Sequence, residues 1–302
     1  TYTGAVTLGA DTTLTGPTIT TYGPVSGNYG LTITGAAVFG NGTTDTVILG
    51  GTGKNLSVSG ATTINTDTIT TSGTQTYTGA VTLGADVTLT TSAASTSGNI
   101  LFSSTVDSDG TSRALITTTA SDARTTFSNK VGNGAALKSL SISAGLATIN
   151  TDTVKTTGNQ SYTGAVTLSA NATLTTTSNG DVSFTSTVNG AQSLTISTNG
   201  TGDTTFSGAV GGTAALTGLS VTTDVLSAGA VTLATSSAMV VTTGGTSSIT
   251  GAITGTSATF EKAGAGNLTL SGTNTYTGTT TISAGTLTLT GSLSSSSGVV
   301  MT

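Results

Sequence analysis

The sequence predicts an all-β fold, a parallel β-helix (β-solenoid) of near 20 residues per coil with almost no helix. Three observations predict it: a composition of small β-branched residues, an apolar spacing of two, and internal repeats.

Composition comes first. Of 302 residues, 78 are Thr, 38 Ser and 43 Gly, more than half the chain, while Leu, Ile, Val and Phe make up about a fifth. Disorder calls for low hydrophobicity with high net charge. Here the formal charge is only −5 and mean hydropathy is +0.23, so the chain can collapse. With so few large side chains it must do so around a thin core spread along its length. The same composition removes function classes. Without Cys there is no disulfide framework or thiolate zinc site, and without His there is no Ser-His-Asp triad. Seven Lys and Arg and a pI near 4.3 do not make a basic nucleic-acid surface.

Spacing comes second. Val81 and Leu83, Val87 and Leu89, Leu140 and Ile142, Leu194 and Ile196, and Leu268 and Leu270 alternate with polar residues. Period two puts one face in and one out, the signature of a strand. Thr fills most outward positions, where β-branching suits the pleat. Asn41-Gly42, Asn133-Gly134, Asn189-Gly190 and Asn199-Gly200 mark turns. Phe127, Phe184 and Phe206 are expected to point inward as the large fillers.

Repeats come third. TYTGAVTL stands at 1–8 and again at 76–83; SYTGAVTL follows at 161–168 and TYTGTTTI at 275–282. TINTDT recurs at 63 and 148, and TTFS at 125 and 204. A long period near 80 residues thus holds sub-units of about 20. Tyr162 follows Tyr77 by 85 positions, read here as four coils with both tyrosines at one corner. The competing fold, tandem immunoglobulin-like sandwiches, would need a larger core, usually with a central aromatic, and sharper domain breaks. The chain has no Trp and no linker-like break, so residues 1–302 read as one continuous solenoid segment of a larger protein.

Phe260 to Leu289 read FEKAGAGNLTLSGTNTYTGTTTISAGTLTL. This stretch resembles the autotransporter-associated β-strand repeat, with Lys262, Gly264, Gly266, Leu268, Leu270, Gly272, Asn274, Tyr276, Gly278, Gly285, Leu287 and Leu289 in pattern. The remaining repeats resemble the arrays of filamentous-haemagglutinin-like adhesins. Both resemblances imply a right-handed β-helical stalk, exported through an outer-membrane translocation barrel and displayed on a Gram-negative surface. They supply no catalytic residue, cofactor or metal. The implied partners are cell-surface glycans or proteins, or like fibres, with no nucleic acid and no membrane insertion. A glycan- or self-binding module and a carbohydrate-active β-helix are the alternative functions.

Candidate sites are few. Asp67 and Asp152 share a repeat position, as do Asp11 and Asp86, and such periodic carboxylates are expected to cap turns. A catalytic group would break the period. Asp107 and Asp109, before Gly110 and near Arg113, Asp122 and Arg124, form the densest acidic stretch and read as a solvated loop. Asp107-Ser108-Asp109-Gly110 opens like a calcium loop but lacks the closing Glu. Gly132-Asn133-Gly134 and Gly211-Gly212 lack the Lys-Ser/Thr of a phosphate loop, and Lys130 and Lys138 are too sparse for an anion patch. Thr-x-Thr rows suggest ice binding, yet drifting coil length argues for plain strand surface. Tyr2, Tyr77, Tyr162 and Tyr276 are expected at coil corners with their hydroxyls at the rim.

Overall fold

In the computed structural model the structure describes residues 1–42, 45–143, 145–294 and 298–302. The chain forms two compact units, Thr1–Thr156 and Thr157–Thr302. Each is a parallel β-solenoid of seven turns, with three short strand rows per turn. No α-helix occurs among the described residues; a single 3-10 turn spans Ser95–Gly98.

In the first unit, row one runs Val6–Leu8, Val25–Gly27, Thr46–Leu49, Thr68–Thr71, Val87–Thr91, Ala114–Thr118 and Ser139–Ser143. Row two includes Leu56–Val58, Gln75–Tyr77, Ile100–Phe102, Arg124–Phe127 and Leu146–Ile149. Row three includes Thr62–Ile64, Val81–Leu83 and Val106–Ser108, continued by single bridges through Val131 to Val154. Long strands Thr12–Thr21 and Leu31–Phe39 run through the corner between rows two and three. Val6 pairs with Val25, 19 residues on, and Val25 with Val47, 22 on. Leu89 pairs with Thr117 only after 28, because loops around 92–99 and 109–113 bulge from the turn.

The second unit is more regular. Gln160, Val182, Thr204 and Leu226 pair in succession at intervals of 22 residues, and Ile249 pairs with Leu270 after 21. The expected coil near 20 residues thus stands close to the observed value of about 21.

Inside, parallel register stacks like on like. Tyr77, Phe102 and Phe127 lie in successive turns, with ring centroids 5.3 and 5.1 Å apart and planes within 12° and 7°. Tyr162, Phe184 and Phe206 repeat the arrangement in the second unit, at 4.9 and 5.0 Å. The spacing is that of the strand ladder, roughly 4.8 Å per turn, so the rings stack face over face with each turn added. Phe127, Phe184 and Phe206 point inward as expected, none more than 2% exposed.

Two expectations are corrected. Copies of the Tyr-Thr-Gly motif do not share a corner within either unit, and the 85 positions from Tyr77 to Tyr162 do not count four coils. In the first unit Val6–Leu8 lies in row one, whereas Val81–Leu83 lies in row three. In the second, Val166–Leu168 pairs with Val188–Asn189, whereas Thr280–Ile282 pairs with Phe260–Lys262 on a different row. The motif is a strand–corner–strand unit, and any corner of a three-row turn accepts it, so motif spacing is not a coil count. Its glycine is needed where corners stack backbone on backbone: a Cβ on Gly79 would lie 2.3 Å from the carbonyl carbon of Gly60.

The tyrosine hydroxyls are also not at the rim. Tyr77 and Tyr162 are 0% exposed and Tyr276 1%, while Tyr2 is 41% exposed. The Tyr77 hydroxyl donates to Gln75 Oε1 at 2.9 Å, and Gln75 Nε2 donates to the carbonyls of Ile69 and Thr90 at 3.2 and 2.9 Å. Tyr162 donates to Gln160 in the same way at 3.1 Å. The glutamine two residues earlier points inward with the ring and satisfies its hydroxyl without water. Burial pushes both phenols above their ordinary pKa.

Gln75→Met is expected to leave the Tyr77 hydroxyl buried without an acceptor and to cost about 1–3 kcal/mol. Adding Tyr77→Phe removes the stranded hydroxyl and should recover part of that loss in urea melting. Additive losses in the two single variants and the double variant would show the pair to be uncoupled.

Candidate functional site

Polar side chains of this fold work mainly at corners, where one turn's backbone N–H has no strand partner. Asp11 Oδ1 accepts from Gly30 N at 2.8 Å, and Asp86 Oδ1 from Ala114 N at 2.9 Å. In the second unit Asn159, Asp181 and Asp203 form a ladder in which each Oδ1 accepts the N–H of the residue 22 positions on, at 2.9–3.0 Å. The capping expectation therefore holds for Asp11 and Asp86. It fails for the TINTDT copies, where the hydroxyls of Thr66 and Thr151 receive the amides of Thr68 and Thr153 instead. There Asp152 stays 64% exposed and pairs with Lys130 at 3.6 Å.

The acidic stretch of the first unit is similarly occupied. Asp107 Oδ1 accepts from Gly134 N and Ala135 N at 2.8 and 3.2 Å. Asp109 takes the Arg113 fork through Nε and NH2 at 3.1 and 3.0 Å. Asp86 pairs with Lys138 at 3.2 Å. Arg124 turns away to the Thr148 hydroxyl at 2.8 Å. A backbone amide holds Asp86, and the Arg113 side chain holds Asp109, below the usual carboxylate range. Asp86 and Asp109 are thus kept ionised by separate partners. General acid work needs the reverse, a carboxyl pushed up by burial or by a second carboxylate. Among the described residues no three His, Cys, Asp or Glu side chains gather as a metal site.

A set of buried polar groups with long side chains lies in the 260–294 stretch. Lys262 is 0% exposed, and its Nζ donates to the carbonyls of Ala263, Gly264 and Ala284 at 2.6, 2.8 and 3.4 Å. All three ammonium protons can thus meet an oxygen, two in its own corner and one in the next turn. Burial pulls its pKa below the ordinary lysine value. Asn274, 1% exposed, accepts from Ile253 N at 3.0 Å and donates to the carbonyls of Gly272 and Ser292, both at 3.1 Å. One amide therefore fastens three successive turns. The Tyr276 hydroxyl meets Thr280 Oγ1 at 2.7 Å, and its ring lies 6.0 Å from that of Phe260. Leu268 and Leu270 are 0% exposed beneath these groups, whereas Leu289 is 43% exposed. The motif supplied Lys262, Asn274 and Tyr276 as pattern positions. That Lys262 and Asn274 point inward was not legible, because a lysine or asparagine in a polar chain reads as surface.

On the outside, register again orders the surface. In the row of the second unit that runs from Gln160–Tyr162 to Thr286–Leu289, Ser161, Ser183, Thr205, Ser227, Ser248, Thr269 and Thr288 pair turn on turn, an uncharged hydroxyl rank with no break. The drift expected to interrupt such rows is confined here to a residue or two in loops outside the strands.

Residues 260–294 match the family model described as the passenger-associated-transport-repeat. This is an autotransporter passenger repeat, in agreement with the resemblance drawn from the motif. No curated protein and no solved structure matches the chain.

Lys262→Met keeps most of the stem's packing but strips the donor from three carbonyls. It is expected to lower the hydrogen-exchange protection of the 259–289 amides while remote turns keep theirs, as in a structure where each repeat contacts only its neighbours. Unchanged protection in that stretch would count against the clamp.

Proposed function

We propose that the chain is a structural stalk segment of an autotransporter passenger, displayed outside a Gram-negative outer membrane. Its work is length, stiffness and the holding out of an adhesive surface for attachment or aggregation, as in filamentous-haemagglutinin-like adhesins. The observation that carries this reading is the 260–294 repeat, which pairs a passenger-type match with turns fastened internally by Lys262, Asn274 and Tyr276. A parallel solenoid suits the task because inter-turn hydrogen bonds run along its axis and resist extension. The uncharged Ser and Thr ranks limit nonspecific ionic adhesion.

The same reading gives the repeat a role in export. A chain that crosses the membrane unfolded is biased outward by whatever folds first on the far side. The clamps of this stretch find nearly all their partners within it, Ile253 being the one outside, so it needs little help from the rest of the chain to do so, and it offers a finished edge for the next turn. Replacing Leu268 and Leu270 with Asp places two charges in a narrow interior and should melt that turn. The expected outcome is slower surface appearance of the parent protein, measured by protease accessibility over time, with unchanged binding by molecules already displayed. Display kinetics equal to wild type in a variant shown to be locally melted would remove the export role.

No catalytic role is included in this reading, because the carboxylates of the acidic stretch are engaged one by one, and Asp86 and Asp109 are held below the usual range, which runs against acid catalysis. Incubation with common polysaccharides is expected to yield no cleavage products. Reproducible cleavage lost in Asp107→Asn or Asp109→Asn would overturn that statement.

A further inference from the structure

Three of the six tyrosines are spent on the core; the other three are surface residues of the first unit. Tyr2 and Tyr22 are each 41% exposed and Tyr29 36%. Tyr29 differs from the others in its surroundings. It lines an open cleft of about 340 Å³ with Leu8, Ser26, Asn28 and the 45%-exposed Ile48. The next residue, Gly30, lines a second cleft of about 260 Å³ with Asp11, Lys54 and Asn55. The two clefts thus meet at one corner, the first more apolar and the second polar. A Cβ on Gly27 would sit 2.7 Å from the Leu8 carbonyl oxygen, so a bare glycine lies in the floor of the first cleft.

The polar side is held in place by contacts across three turns. Asp11 Oδ1 accepts from Gly30 N at 2.8 Å and from Lys54 Nζ at 3.1 Å. Lys54 Nζ in turn lies 5.7 Å from the centre of the Tyr29 ring. The Asn55 Oδ1 atom is taken by Thr74 N at 2.8 Å, which leaves its amide nitrogen without a partner among the described residues. Asp11 is 68% exposed, so most of its carboxylate still faces solvent. An aromatic face, an apolar neighbour, a carboxylate acceptor and two nitrogen donors thus stand together, with no net charge on the pair Asp11–Lys54. Asp11 caps its turn as Asp86 does, but the exposed Tyr29 and Ile48 have no part in closing it.

We propose that this corner is a binding subsite for a neutral glycan about two sugar rings long. The C–H face of one ring would lie on Tyr29 and Ile48. The next ring would place its hydroxyls on Asp11, Lys54 and Asn55. Each cleft is lined from three successive turns and the two sit side by side along the strand direction, so a disaccharide that occupies both lies across the axis. The cancelled charge is the argument for a neutral sugar, since a polyanionic chain would meet Asp11 and a cation already neutralised. This site is independent of the stalk reading: the stalk could stand without it, and the subsite could bind if the chain were displayed by another route.

The test is saturation-transfer NMR and calorimetry on the full chain with cellotetraose, maltotetraose and lactose as neutral probes and oligogalacturonate as the anionic one. At least one neutral probe should bind, with affinity reduced about tenfold or more in Tyr29→Ala and largely retained in Tyr22→Ala. Melting curves should show Tyr29→Ala folded. If they do not, Tyr29→Phe, which keeps the ring, should bind like wild type and Ile48→Asn should not. The proposal is overturned if no neutral probe binds, if only oligogalacturonate binds, or if the folded Tyr29→Ala binds as wild type.

Discussion

Each turn in this protein must lie on the one before it at the spacing of a β-ladder, roughly 4.8 Å. A residue therefore meets its counterpart one turn away more closely than almost anything else in the chain. That constraint decides what may stand where. Rings stack on rings, as in Tyr77–Phe102–Phe127, because flat groups can repeat at that distance with planes nearly parallel. Glycines stack on glycines at tight corners, because a Cβ would strike the backbone beneath. Small polar residues stack on small polar residues outside, because ranks of like charge would repel at such spacing.

The cost of the arrangement lies at the corners and in the narrow interior, where backbone groups leave the ladder and water is scarce. Buried polar groups must then find partners within the protein. Three devices meet this need. Asp and Asn oxygens receive the N–H of the next turn, as in the Asn159–Asp181–Asp203 ladder. Inward glutamines receive the tyrosine hydroxyls. In the 260–294 stretch a lysine and an asparagine tie carbonyls from different turns together. The last device ties two or three turns through a single side chain, and it occupies the stretch that matches the passenger-associated-transport-repeat. A unit with its own fasteners is suited to fold ahead of its neighbours.

The ion pairs have a smaller part. Lys54–Asp11, Arg113–Asp109, Lys130–Asp152 and Lys138–Asp86 all lie on the first unit, with side chains that remain at least a quarter exposed. Exposed pairs of this kind contribute little to stability. They fall where coil length varies most, and they tie down loops that the strand ladder does not reach. The Asp11–Lys54 pair has the further effect of setting two polar groups beside an exposed aromatic ring.

The sequence by itself determined the all-β class, the coil of near 20 residues, the inward phenylalanines and the passenger-type repeat. Each of these is a local or periodic property: alternation at two follows from pleat geometry, and a repeated motif is visible in one dimension. The capping role of Asp11 and Asp86 was legible from their recurrence at equal positions, but the same recurrence misled at Asp67 and Asp152, where a neighbouring threonine hydroxyl takes the amide. Tertiary structure alone decided which corner each motif copy occupies, because a three-row turn offers three similar corners and the variable loops between copies choose among them. It also decided that Gln75, Gln160, Lys262 and Asn274 face inward. Their polarity argues for the surface, and only the carbonyls, amides and hydroxyls brought around them by neighbouring turns make the interior tolerable. The meeting of Asp11, Tyr29 and Lys54 belongs to the same class, for residues 18 and 25 positions apart become neighbours only once successive turns have stacked.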